Sequence, residues 1–156
     1  MKRGVVVLAV VCTLFLAEKI KADEARTYYY QMVCGSEKDF SKKPGAKPIG
    51  LKLRNQLENR FRWKHFAELT HGECVLPSDH GTVIVKLPEN RELRLHRNGK
   101  QLEAQLFRNG QVVRTTRTAI DLEPMIMGGD QVQEGCWFVI LRSDKPTTMT
   151  VAAEKN

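Results

Sequence analysis

The most informative part of the sequence is the stretch RELRLHRNGKQLEAQLFRNGQVVRTT, residues 91–116. Two Asn-Gly pairs, Asn98-Gly99 and Asn109-Gly110, begin 11 residues apart within it, and each separates runs in which apolar and polar residues alternate. Asn-Gly favours the type I′ turn of a two-residue β-hairpin, because both central residues of that turn need a positive φ. The stretch therefore predicts a three-stranded antiparallel meander.

Counting outward from the two turns predicts which side chains share a face of this meander. If Arg97 faces Lys100 across the first turn, Leu95 opposes Leu102, and the apolar side chains of all three strands fall on one face. A slip of one residue would destroy that agreement. The predicted apolar face consists of Leu93, Leu95, Leu102, Ala104, Leu106 and Val113.

Outside the meander, β-branched and aromatic runs predict further strands. Residues 27–35 are typical of a first strand, and residues 81–87 form a strand that leads into the meander. Residues 136–141 are apolar at every position, as in a strand buried on both faces. Shorter strands are expected at residues 125–127, ending in a turn at Gly128, and at the edge over 147–152.

The region between the first strand and residue 70 has a mixed pattern. Residues 36–50 are rich in Pro, Gly and Lys and predict a surface loop. Leu53 and Leu57, four residues apart, suit one short amphipathic helix over 51–59. From Arg60 onward aromatic and basic residues alternate, which predicts a strand with a bulge near His65.

About seven strands and one helix predict a mainly β fold, either an antiparallel β-sandwich or a partly open barrel, with the Asn-Gly meander at its centre. In its core the leucine face would pack against Tyr28, Tyr30, Trp137 or Val139.

The N-terminal residues resemble a secretory signal peptide. A basic start is followed by 14 uncharged residues, Gly4 to Ala17, which are too few to span a membrane comfortably. Cleavage is expected after Ala22. Residues 23–156 would then form a single exported β-rich domain, periplasmic or extracellular, with no transmembrane anchor and a polar tail from about residue 153.

Positive charge is concentrated in one region. The whole chain has a net charge of +7, which falls to +4 without residues 1–22. Residues 42–64 alone carry a net charge of +7, so the rest of residues 23–156 is at −3. The basic residues of this region are Lys42, Lys43, Lys47, Lys52, Arg54, Arg60, Arg62 and Lys64.

Phe61, Trp63 and Phe66 lie among these bases, so the region could contact an anionic cell-envelope polymer or a partner protein with cations and a stacking ring. The alternative is a half-buried strand whose rings face the core and whose charges keep the surface wet. Export argues against nucleic acid as the partner.

Three cysteines remain after signal removal, and an odd number permits at most one internal disulfide. The candidates are Cys34, Cys74 and Cys136, and the sequence does not choose between their three pairings. Alternatively, all three are small buried apolar residues. Cys74 also lies close to His71 and His80, and these three side chains are the weak candidates for a metal site.

No motif of nucleophilic, metal-dependent or phosphate-binding catalysis occurs, and Gly128-Gly129-Asp130 reads as a tight turn. The sequence therefore predicts a protein that is not an enzyme and has no cofactor.

Several segments resemble small exported β-rich bacterial envelope proteins of uncharacterised function. They are Phe61 to His65, Leu106 to Gln111, and Met127 to Val139. The resemblance implies an envelope setting and no activity, so it identifies no functional residue. The expected function is that of a non-enzymatic interaction or envelope-accessory module. The alternative is an envelope protein that binds a small ligand or a metal.

Overall fold

The computed structural model describes residues 25–39, 43–77, 80–119, 124–132 and 135–146. The predicted signal peptide, the edge strand expected over 147–152 and the predicted polar tail lie outside the described residues. The elements found are β1 (Arg26–Ser36), β2 (Lys47–Pro48), α1 (Leu51–Glu58), β3 (His65–Leu76), β4 (Thr82–Leu87), β5 (Arg91–Asn98), β6 (Gln101–Arg108), β7 (Gln111–Ala119), β8 (Met125–Val132) and β9 (Gly135–Arg142).

The strands form two antiparallel sheets, which confirms the mainly β fold. One sheet has the strand order β2-β3-β1-β9-β8 and the other has the order β4-β5-β6-β7. In the described ranges the sheets do not close into a barrel.

The space between the two sheets holds the larger core, here called the inter-sheet core. The leucine face of β5 and β6 packs there against the inner faces of β1 and β9, as the sequence predicts. Its members include Tyr28, Met32, Leu93, Leu95, Leu102, Ala104, Leu106, Trp137 and Val139.

A second core, the outer core, lies on the opposite face of the five-stranded sheet. Leu53 and Leu57 of α1 are buried there against Val33, Phe138 and Ile140. The predicted helix is confirmed, and its two leucines face inward because they lie one helical turn apart. Strand β9 is buried on both faces, as its continuous apolar sequence predicts.

The predicted register of the first hairpin is wrong by two residues. Asn98 pairs with Gln101, so Gly99 and Lys100 form the turn, and Leu95 opposes Ala104 rather than Leu102. Gly99 has a φ of 58°, whereas neither Asn98 nor Lys100 has a positive φ. This is the type II′ arrangement, in which Gly occupies the first central position. A two-residue change leaves the faces unaltered, so the leucine face survives.

The second hairpin has the expected turn but an unexpected bulge. Asn109 and Gly110 both have positive φ values, 49° and 79°. The register then shifts between Leu106 and Phe107, so that Leu106 opposes Arg114. Val113 is the extra residue of this bulge and not a member of the apolar face, which corrects its placement there.

The segment after α1 is not a strand. The backbone N–H of Phe61 donates to the Leu57 carbonyl at 2.8 Å, so the chain is still completing the helix end where a strand was predicted. The strand begins at His65. Its bulge lies at Leu69, since Val33 opposes Glu68 while Met32 opposes Thr70.

Strand β8 is longer than expected. It continues to Val132 with a register shift between Gly128 and Asp130, so the turn predicted at Gly128 is a bulge inside a strand. Within the predicted loop over 36–50, Lys47 and Pro48 make a two-residue pairing with β3.

The two Asn-Gly pairs should therefore respond differently to substitution. Gly99→Ala forces an L-residue into a positive φ and should lower the free energy of unfolding by about 1–2 kcal/mol. Asn98→Ala should change it by less than about 0.5 kcal/mol, because Asn98 already has an ordinary φ. Chemical denaturation of both variants measures the difference. Equal losses at Asn98 and Gly99 would support a type I′ turn and contradict the observed register.

Candidate functional site

The structure distributes the predicted basic region over several parts of the surface. Lys42 lies outside the described residues. Two of the lysines have carboxylate neighbours: Lys43 Nζ is 3.9 Å from Glu89 Oε1, and Lys64 Nζ is 3.2 Å from Glu37 Oε2. Their charge is partly balanced by these neighbours, so the net charge of residues 42–64 overstates the positive field of the folded surface.

Part of the region lines a wide, open groove of about 750 Å³, which we call the arginine groove. Arg60 and Arg62 come from the connection after α1, and Arg114 comes from β7 of the four-stranded sheet. None of the described side chains that line the groove is acidic. A guanidinium presents several N–H donors in one plane and suits carboxylate, sulfate or phosphate groups.

Arg114 is the member of this groove that the sequence analysis missed. It is far from residues 42–64 in sequence, and counting from the Asn109-Gly110 turn without a bulge puts it on the polar face of the meander. The bulge at Val113 changes the face of Arg114, and its Nε donates to the Gly128 carbonyl at 3.0 Å. This hydrogen bond orients the guanidinium between β7 and β8.

The aromatic residues of the basic region are used mainly for packing. The Phe61 ring lies 4.3 Å from the Phe138 ring, centroid to centroid, in the outer core. The guanidinium of Arg62 lies 5.1 Å from the centre of the Trp63 ring, a cation–π distance. Trp63 is half-buried, so one edge of this pair remains at the groove.

A smaller pocket of about 260 Å³ collects other members of the basic region. Lys47, Arg54 and Lys64 line it together with His65, and Asp39 adds a carboxylate. Lys52 lies elsewhere, at the start of α1. The seven predicted candidates that the structure describes are therefore divided among the arginine groove, this pocket, the start of α1 and the neighbourhood of Glu89.

The structure does not bring the three metal candidates together. His71 pairs with Gln31 and faces outward from the five-stranded sheet, whereas Cys74 is in the inter-sheet core. His80 is exposed in the turn before β4. Among the described residues no group of three His, Cys, Asp or Glu side chains is arranged to hold a metal ion.

An unpredicted polar cluster lies on the outer face of the same sheet. Gln31 Nε2 donates to Glu68 Oε2 at 2.6 Å, and His71 Nδ1 contacts Glu68 Oε1. Gln31 and Glu68 are only 3% and 4% exposed. Residues 68 and 71 would face opposite sides of a regular strand, and the bulge at Leu69 places them on one side.

A carboxylate on Nδ1 orients a histidine as it does in acid–base catalysis. In the described part of the chain, however, no hydroxyl or thiol shares a hydrogen bond with the His71 ring. The cluster therefore explains how a buried carboxylate is satisfied, and the arrangement supplies no nucleophile.

The three described cysteines, Cys34, Cys74 and Cys136, are buried, and none of them is in a disulfide. Cys136 faces the outer core, whereas Cys34 and Cys74 face the inter-sheet core. Cys74 opposes Tyr28, six residues along β1 from Cys34, a separation of about 20 Å. No pair therefore has the geometry of a disulfide.

Burial raises the pKa of the Cys34 and Cys74 thiols from 9.0 to about 11. Both are therefore protonated at neutral pH, and the thiolate is the reactive form. In the native protein Cys34 and Cys74 should not react with Ellman's reagent at neutral pH, whereas in guanidinium chloride Cys34, Cys74 and Cys136 should all be titrated. Rapid reaction of Cys34 or Cys74 in the native protein, or a missing thiol after unfolding without reductant, would contradict this assignment.

The same shift affects stability at high pH. Because the folded state holds these thiol protons more tightly than the unfolded chain, their contribution is fully present below pH 9.0 and is lost between pH 9.0 and about 11.

Comparison of the chain with protein-family models, with curated proteins and with solved structures finds no match. Helix α1 has eight residues, and no helix in the described ranges is long and apolar enough to cross a membrane.

Proposed function

We propose that the protein is a non-enzymatic, exported interaction module that binds an anionic polymer through the arginine groove. The observation that carries this proposal is that Arg60 and Arg62, from the connection after α1, meet Arg114 of β7 at one groove without a described acidic lining residue. Successive anionic groups along an extended polymer could each pair with one of these three guanidinium groups.

The shape of the groove supports a polymer over a small molecule. The groove is broad and open, whereas small-molecule sites are concave and enclose most of their ligand. The Trp63 edge adds a surface for the apolar part of a sugar or a side chain. The proposed envelope setting supplies partners of this chemistry and rests on the N-terminal sequence alone. Strand β1 begins at Arg26, so cleavage after Ala22 removes no described residue.

The test compares two triple variants of the same net charge. Arg60→Ser, Arg62→Ser and Arg114→Ser together should weaken binding to heparin and to poly-L-glutamate. The slope of log affinity against log salt concentration should fall in magnitude by about two to three, because each lost arginine contact reduces the number of counterions released on binding by about one. Retention on heparin and poly-L-glutamate columns over a salt gradient measures this.

The matched control removes three bases of the four-stranded sheet that do not line the arginine groove, Lys86→Ser, Lys100→Ser and Arg117→Ser. The control should elute close to the unaltered protein. If both triple variants elute together at lower salt, the effect is one of net charge and the groove is not the binding site. If neither variant changes retention, the basic residues serve only as solvated surface.

Small-ligand binding is the second candidate function. It is favoured by a cavity of about 500 Å³ between the start of α1 and the outer face of the five-stranded sheet, within the size range of small-molecule sites.

A further inference from the structure

The cavity beside α1 contains a buried polar atom that the fold leaves unsatisfied. Gln31 lines the cavity from the middle of β1 and is 3% exposed. Its Oε1 has no hydrogen-bond partner among the described residues. A buried acceptor without a partner costs free energy, so such an atom needs an explanation.

The orientation of the Gln31 amide follows from its neighbour. Glu68 as a carboxylate can only accept hydrogen bonds, and Gln31 Nε2 lies 2.6 Å from Glu68 Oε2. The amide nitrogen must therefore face Glu68, which leaves the carbonyl oxygen of this cavity-lining side chain without a described partner. His71 Nδ1 contacts the other oxygen of Glu68, so the orientation of the Glu68 carboxylate, and with it that of the Gln31 amide, is fixed.

Donor groups also line this cavity. Arg142 extends from the end of β9, and its buried Nε is also without a partner. Lys52 adds an exposed cation. The N-cap residue of α1 is Gly50, which has no side chain to cap the helix, and this leaves the first N–H groups of α1 available. The cationic side chains and the N–H groups at the start of α1 favour binding of an anion beside them.

We infer that this cavity binds a small organic acid that carries an N–H or O–H donor close to its carboxylate. The carboxylate would contact Arg142, Lys52 and the start of α1, and the donor would contact Gln31 Oε1. Asp144 at the rim would attract the donor further if it is an ammonium group. This inference rests on the second candidate function and is independent of the arginine groove.

Four probe molecules separate the two halves of this recognition. Glycylglycine combines a carboxylate with N–H donors, and lactate combines it with an O–H donor. Succinate at neutral pH lacks the donor, and glycylglycinamide lacks the carboxylate. Isothermal titration calorimetry should show millimolar or tighter binding for glycylglycine or lactate, and binding at least about tenfold weaker for succinate and glycylglycinamide. Binding of neither glycylglycine nor lactate, or equal binding of all four, would overturn the inference.

Variants of the lining residues locate the site. Arg142→Met and Lys52→Met keep the aliphatic stems and should each weaken binding of the better probe by about tenfold. Gln31→Met should remove the preference over succinate, with circular dichroism as the check on folding. Lys100→Met, at the distant β5–β6 turn, is the matched control and should bind normally.

The variants also distinguish this site from the arginine groove. The triple variant at Arg60, Arg62 and Arg114 should bind the probe normally even if it loses polyanion retention. Unchanged probe binding by both Arg142→Met and Lys52→Met, the two substitutions nearest the surface, would overturn the inference even if Gln31→Met failed to fold.

Discussion

Strand β9 is buried on both faces, and this two-sided burial organises the two sheets and the helix around it. Trp137, Val139 and Leu141 face the inter-sheet core, and the alternate residues Phe138 and Ile140 face the outer core. Because side chains alternate along a strand, such a sequence requires an apolar layer on each side of its sheet. The four-stranded sheet supplies one layer, and α1 with the segments around it supplies the other.

That second layer determines where the candidate sites lie. Covering Phe138 and Ile140 brings α1 and the connection after it across the outer face, and the basic residues of that segment come with them. Phe61 packs against Phe138, which holds Arg60 and Arg62 beside Arg114. The layer ends near Gln31, and the cavity opens where apolar packing gives way to the polar cluster on β1 and β3. Both proposed sites are therefore edges of the same covering layer.

Periodicity made much of this fold predictable from the sequence. The leucine face of the meander is correct although the first hairpin register is wrong, because a two-residue change in pairing preserves the side on which each residue lies. Bulges have no comparable signal. The bulges at Val113 and Leu69 each move a functional candidate, since one aligns Arg114 with the groove and the other places His71 beside Glu68. A bulge reverses the local alternation of side chains, and the contact of Arg114 with β8 joins residues of different sheets. Hydrophobic periodicity within one segment predicts neither of these features.

The dependence on β9 is tested most directly by native-state hydrogen exchange of its backbone amides. Amides in the middle of β9 and β1 should exchange only through global unfolding, so their free energy of exchange should equal the full free energy of unfolding. Amides of the exposed edge strand β7 should exchange through smaller openings. Exchange from the middle of β9 at a lower free energy than from β5 and β6 would show that the two-sided burial of β9 is not what holds the layers together.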